Sequence, residues 1–218
     1  MTTADRPYHH GELPEALIAA GLRLSRAGGS AALTLRAVTR EAGVSATAAY
    51  RHFTDRDHLM RDTARRTRRA LADTMLETIA ELGTDLPPDA QAVQRLRGVG
   101  LGYIRFALDE PGWFDLAFSM PDDPSAAPSD RPGPFELLMD SLDAMVATGV
   151  LAPERRNGAE WACWGSVHGF ADLVARGPLR DQERPVVDQL GRNVVESVIA
   201  GVVAGSLDGV RLRPDGSC

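Results

Sequence analysis

Apolar residues recur at three- and four-residue intervals through most of the chain, and that period reads as one helix after another. Leu13, Leu17, Gly21 and Leu24 form a stripe over about 13–27. Pro14 suits the first turn, where a missing N–H costs nothing, and Gly28-Gly29 ends the segment. Leu35, Val38 and Ala42 make a second, shorter stripe, stopped by Gly43. Thr34 is placed to cap it, and Ser45 to cap a third helix over about 46–52. Asp55 is placed to cap a long helix running to about Leu82, and the break GTDLPP (83–88) follows. Val93, Leu96, Val99, Tyr103 and Phe106 mark a helix over about 89–108, closed by Pro111-Gly112. WFDLAFSM (113–120) reads as a short aromatic helix, PDDPSAAPSDRPGP (121–134) as an exposed loop, and 135–148 as a helix with Leu138, Leu142, Met145 and Val146 inward. Two helices end the chain, over about 154–176 and 182–205.

The expected fold class is therefore all-α. A glycine turn between two short helices, braced by the helix before them, is the helix-turn-helix arrangement, whose second helix enters the DNA major groove. Leu35, Val38, Ala42, Val44, Tyr50 and Phe53 are expected to join the first helix in a three-helix core. We place the boundary near Thr54, giving an N-terminal helix-turn-helix domain over 1–54 and a C-terminal helical domain over 55–218.

Composition changes this picture little. The chain has 218 residues, 44% hydrophobic and 25% charged, enough for a substantial core. Charge changes it more. The net charge is −6, yet residues 1–70 hold 12 Arg against 7 Asp and Glu, and the remainder holds 12 Arg against 23 acids. A basic head on an acidic body fits a polyanion-binding domain joined to an effector domain. Two cysteines, Cys163 and Cys218, give no basis for a structural disulfide, and a reducing cytoplasm is expected. The opening residues are polar and unlike a signal peptide, and no apolar run reaches the ~18 residues of a membrane span. Arg6 in the N-terminal arm can reach a phosphate or the minor groove. His9-His10 lacks the further ligands a metal site needs, so no metal and no cofactor are expected.

AGVS (42–45), YRHF (50–53), the pair Asp55-Arg56 and Leu59 resemble the DNA-binding domain of TetR-family transcriptional regulators, and PYHHGEL (7–13) sharpens the likeness. WGSVHGF (164–170) resembles the C-terminal domain of the subgroup named for a Trp-His-Gly motif. Thr39 stands where the family usually has a small apolar residue, and Arg56 where it usually has lysine. The resemblance implies that the C-terminal helical domain over 55–218 is a ligand-binding and dimerisation domain, forming a homodimer through a four-helix bundle, two helices from each subunit. A twofold axis would then set two recognition helices ~34 Å apart on a palindromic operator. It also implies that Tyr50 contacts a backbone phosphate, with its ring partly in the core, and His52 is read the same way. Ser45, Ala46, Thr47 and Arg51 complete the exposed candidates of the recognition helix. The hydroxyls of Ser45 and Thr47 suit a phosphate or a base edge. Thr34, Arg36 and Thr39 are expected at the other wall of the groove, and Arg56 at a phosphate beside a helix N-terminus. Arg61, Arg65, Arg66, Arg68 and Arg69 read as a solvated face.

In the body, Tyr103, Phe106, Trp113, Phe114, Phe118, Met120, Met139, Trp161, Trp164, His168 and Phe170 gather the aromatic and polarisable surface. For each the alternatives are core or an apolar pocket for a small-molecule effector. Trp164 and His168 share a helix face, and Asp172 continues it, placed to orient the imidazole. Gly165 and Gly169, and likewise Gly201 and Gly205, permit a close helix crossing, either internal or at a dimer seam. The sequence holds no phosphate loop, metal cluster or G-x-S-x-G elbow, and an enzyme is not expected. The expected function is a dimeric, sequence-specific DNA-binding regulator, a repressor released by a small apolar ligand. The alternative is the same scaffold acting as an activator or without a ligand.

Overall fold

The computed structural model describes residues 12–83, 85–121 and 130–204. The arm with Arg6, His9 and His10, most of the Pro/Ser/Asp loop, Gly205 and Cys218 lie outside the described residues. Among the described residues all regular structure is helical: α1 (Glu12–Gly28), α2 (Leu35–Ala42), α3 (Ala46–Ala49), α4 (Arg56–Glu81), α5 (Pro88–Asp109), α6 (Pro111–Ala117), α7 (Pro134–Ala147), α8 (Ala159–Ala175) and α9 (Arg184–Ala204). Single 3-10 turns precede α2 (Ser30–Ala32) and α8 (Pro153–Arg155). No described helix is long and apolar enough to cross a membrane.

Two hydrophobic cores divide the molecule. The head core gathers Leu17, Ile18 and Ala20 of α1, Val38 of α2, Ala49 of α3, Phe53, and Leu59, Met60 and Ala64 of α4. Leu33, fully buried, and Leu116, from α6, also belong to it. The body core joins Leu71, Ala72 and Met75 of α4 to α5, α7, α8 and α9. The boundary expected near Thr54 falls before α4, but the first turns of that helix pack into the head.

Local sequence explains the ends of the elements. The Thr34 Oγ1 accepts the Ala37 N–H at 3.1 Å and starts α2. Gly43 stops it in the left-handed conformation, φ 69°, which a side chain disfavours. The Ser45 Oγ accepts the Ala48 N–H at 3.2 Å and starts α3. The Asp55 Oδ1 accepts the His58 N–H at 2.7 Å and starts α4. That bond, outweighing a small burial effect, holds the Asp55 carboxyl below its usual range. Three buried threonines on α4 satisfy their hydroxyls locally: Thr63 donates to Leu59 O, Thr67 to Ala64 O and Thr78 to Thr74 O.

Two expectations need correction. Tyr50 does not join the head core: it is 57% exposed, and Ala49 and Phe53 fill the interior instead. The turn after α3 carries the Phe53 N–H back to Ala49 O at 2.9 Å, which puts those two residues on the inner face and Tyr50 outside. The helix over 154–176 begins later, at Ala159, because Pro153–Arg155 forms a 3-10 turn and Gly158 sits at φ 87°.

The closest approach in the body is between α4 and α5. A Cβ on Gly102 would lie 2.6 Å from Met75 Cα, and one on Gly98 2.9 Å from Ile79 Cα. Backbone meets backbone there, and no side chain can yield. Gly102→Ala is therefore expected to destabilise the fold by about 1–3 kcal/mol, measured by urea denaturation, despite the higher helix propensity of alanine.

Candidate functional site

The head presents one polar surface built on its helix starts. Thr34, Arg36, Ser45, Ala46, Thr47, Tyr50 and Arg51 are all exposed, and His52 is half-buried. Thr39 turns the other way. It is 5% exposed and its hydroxyl donates to Arg36 O at 3.2 Å, so it lies in the core rather than at the wall of a groove. Arg56 is exposed and braces the backbone around it. Its Nε donates to Leu33 O at 2.6 Å and its Nη2 to Ser30 O at 3.0 Å. It ties the start of α4 to the backbone before α2.

In the body the aromatic residues converge around one hydrogen bond. The Tyr103 hydroxyl and His168 Nδ1 are bonded at 2.7 Å. Phe114, Phe118 and Trp164 surround the pair, with ring centroids 5.0–6.3 Å from that of His168. Burial pushes the Tyr103 phenol far above its ordinary value. Burial also lowers the His168 imidazole, against an opposing pull from Asp172, and Arg176 lowers it further. Both groups are thus held neutral in the interior. Asp172 does not orient the imidazole. Its carboxylate accepts from Arg176 Nε at 2.7 Å, one turn further along α8, and Tyr103 takes the place expected for it.

Two spaces adjoin this cluster. An inner cavity of about 30 Å³, room for about two waters, is lined by apolar side chains of α4, α5, α7, α8 and α9, with Tyr103 and Trp164 at its wall. Cys163 also faces it; burial raises its thiol to about 11, so it stays protonated. An outer chamber of about 480 Å³ lies between α4, the end of α6, the start of α7, and α8. Phe118, Met120, Trp161 and Trp164 line it, and Pro134 and Trp164 border both spaces. Arg68 and Phe135 line it as well; sequence reading had Arg68 among solvated arginines and Phe135 only as a helix start. Position along α4 or α7 carries no mark of what a distant α8 brings near.

The other candidates line neither space. Phe106 and Phe114 are buried in the core. The Met139 Sδ lies 3.4 Å from Arg156, which donates to it. Trp113 belongs to the contact between body and head: its Nε1 donates to Leu22 O at 2.8 Å, with the Arg26 guanidinium 5.0 Å above its ring. Beside it, Asp115 accepts the Ser30 N–H and Arg176 Nη1, each at 2.8 Å. Burial alone would raise the Asp115 carboxyl; those two partners outweigh it and hold the group low. Among the described residues no cluster of His, Cys, Asp and Glu could hold a metal.

Residues 17–63 match the model of the bacterial regulatory proteins of the tetR family, and residues 96–198 that of the tetracyclin repressor-like C-terminal domain. The chain is a TetR-family transcriptional regulator. It carries that family's DNA-binding head and ligand-binding C-terminal domain. Among solved structures, a protein of unknown function from Rhodococcus sp. RHA1 is 25% identical, with a TM-score of 0.63, over 91% of this chain and 100% of that one. A TetR family transcription regulator from Marinobacter aquaeolei VT8 is 17% identical over 85% and 94%, TM-score 0.56. A TetR variant from Acinetobacter baumannii AYE, in complex with minocycline, is 17% identical over 89% and 96%, TM-score 0.55. The last two likenesses concern the fold alone. A comparison with curated proteins finds no match.

The lowered imidazole of this TetR-family chain has a consequence for stability. Unfolded, His168 titrates near its ordinary 6.5; folded, lower. As pH falls through that window the unfolded state takes up the proton first, so stability is full above about 6.5 and declines below it. His168→Gln is expected to flatten the dependence of Tm on pH between about 7 and 5, in parallel thermal melts with the parent.

Proposed function

We propose that this protein is a homodimeric repressor that binds a palindromic operator and is released by a small, largely apolar effector. We also propose that it belongs to the Trp-His-Gly subgroup, with the domains divided near residue 54. The observation that carries the dimer is the outer face of α8 and α9. Ser166, Gly169 and Leu173 on α8, with Leu190 and Ser197 on α9, are exposed along a shallow groove of about 740 Å³, and Gly165 of α8 is exposed next to Ser166. A Cβ added at Gly165, Gly169 or Gly201 would meet nothing within 4 Å. Among the described residues nothing requires those positions to be small. A second copy of the same two helices would, because small residues let helices cross closely and a twofold seam repeats the same patch on both sides.

The exposed set Thr34, Arg36, Ser45, Ala46, Thr47, Tyr50, Arg51 and His52 supports the operator contact. Phosphate contacts set the register of the head, and the few short side chains near the bases leave much of the specificity to DNA shape. The repressor that shares the fold and was solved with minocycline supports a small-molecule effector here. Effector binding would shift the body between two arrangements that set the spacing of the two heads. The alternative is activation on the same scaffold, and transcription from the protein's own upstream region, with and without the protein, separates the two.

Two measurements test the proposal. Arg51→Ala is expected to weaken operator binding by about 1–3 kcal/mol and to shallow its salt dependence, read by fluorescence anisotropy across a salt series. Gly165→Glu is expected to convert dimer to monomer in sedimentation velocity and to abolish operator binding while the subunit remains folded. A Gly165→Glu protein that stays dimeric would remove α8 from the seam.

A further inference from the structure

One carboxylate of α6 ties α8 to the backbone that leads into α2. Asp115 divides its two oxygens: Oδ2 accepts the Ser30 N–H and Oδ1 accepts Arg176 Nη1, each at 2.8 Å. Ser30 opens the 3-10 turn before α2, and Arg176 directly follows α8. Gly29 makes room for the carboxylate. It sits at φ 59°, and a Cβ there would lie 2.8 Å from Asp115 Oδ2. Burial works against the charge of Asp115, and its two partners outweigh that effect.

Ser30 is held at its other end as well. Its carbonyl accepts Arg56 Nη2 at 3.0 Å, and the Nε of the same arginine holds Leu33 O. The backbone from 30 to 33 thus has the body on its N–H and α4 on its carbonyls. Leu33 is fully buried, and Thr34 caps α2 directly after it. A shift of Ser30 therefore passes into α2, and through the Gly43 turn into α3. Trp113 and Glu110, earlier in the same stretch, bond to α1 instead, at Leu22 O and Arg26 Nε.

We propose that Asp115 is a positioning residue for DNA binding: it fixes the backbone before α2 to the body, and Arg176 acts through it by holding the carboxylate turned toward Ser30. The proposal rests on reading the protein as an operator-binding dimer. Two heads on one duplex must enter successive major grooves together, so a head free to rock loses that freedom on binding, at a cost in affinity. Folding depends on these bonds far less. The Asp115–Arg176 pair is open to water, with the aspartate side chain 28% and the arginine 50% exposed, and such pairs contribute little to stability. Loss of Asp115 therefore acts on operator affinity much more than on Tm, which separates positioning from a general structural role.

The test uses the full chain, duplex DNA from the protein's own upstream region, and a scrambled duplex of the same length. Asp115→Ala is expected to bind the specific duplex about tenfold more weakly by anisotropy, with Tm lowered by no more than about 3 °C. Asp115→Asn can still accept from Ser30 but no longer pairs with Arg176, so it should fall between the parent and Asp115→Ala. Arg176→Ala should weaken binding severalfold on its own and have no further effect in the Asp115→Ala background, because its action runs through that carboxylate. Hydrogen exchange at the Ser30 amide should quicken in Asp115→Ala and in Arg176→Ala. Unchanged specific affinity or unchanged Ser30 exchange in Asp115→Ala would overturn the proposal. So would an Arg176→Ala loss that persists in the Asp115→Ala background, or an affinity loss no larger than the drop in folded protein. A parent that prefers the specific duplex, with Asp115→Ala its equal, strikes only the positioning role. A parent that binds both duplexes equally strikes the operator reading, and this proposal with it.

Discussion

One continuous helix, α4, supplies residues to both hydrophobic cores. Its 26 residues extend about 39 Å. Leu59, Met60 and Ala64 hold one end in the head, and Leu71, Ala72 and Met75 hold the other in the body. A rod packed at both ends cannot tilt in one core without moving the other. Its body end is fixed hard, because Gly98 and Gly102 bring α5 into backbone contact with it. At its head end Asp55 caps the first turn and Arg56 fastens the chain before α2.

The short helix α6 makes the second connection. Leu116 enters the head core while Phe114 enters the body core, so the two faces of seven residues serve two interiors. Around it Trp113 bonds to α1, Asp115 bonds to Ser30, and Arg68 bonds to its last turn. Arg176 joins Asp115 to Asp172, one turn from His168. Ion pairs this exposed contribute little to stability individually. Their value is geometric: they index α8, α6 and the head against one another.

The Tyr103–His168 pair shows how a polar bond specifies an apolar interior. Two neutral groups satisfy each other inside a ring of aromatic side chains. Either one alone would be a buried polar group without a partner, which is costly. The pair therefore fixes α8 against α5 in one register, where the rings alone would tolerate several.

The sequence by itself determined the elements and several of their ends. Helical spacing located the helices, and Thr34, Gly43, Ser45 and Asp55 marked boundaries that the structure reproduces, because caps and left-handed turns depend on neighbours within four residues. The helix-turn-helix was legible for the same reason. What the sequence could not decide was which side of a short helix faces in. Tyr50 turned outward, since a four-residue α3 has too few positions to define a stripe, and Thr39 of α2 turned inward, its hydroxyl satisfied by Arg36 O of its own helix. Nor could it assemble the body site: Asp172 gave way to Tyr103, Trp113 left for the head, and Arg68 and Phe135 joined the chamber. Those choices rest on contacts between residues far apart in the chain, and only the packing of the helices brings such residues together.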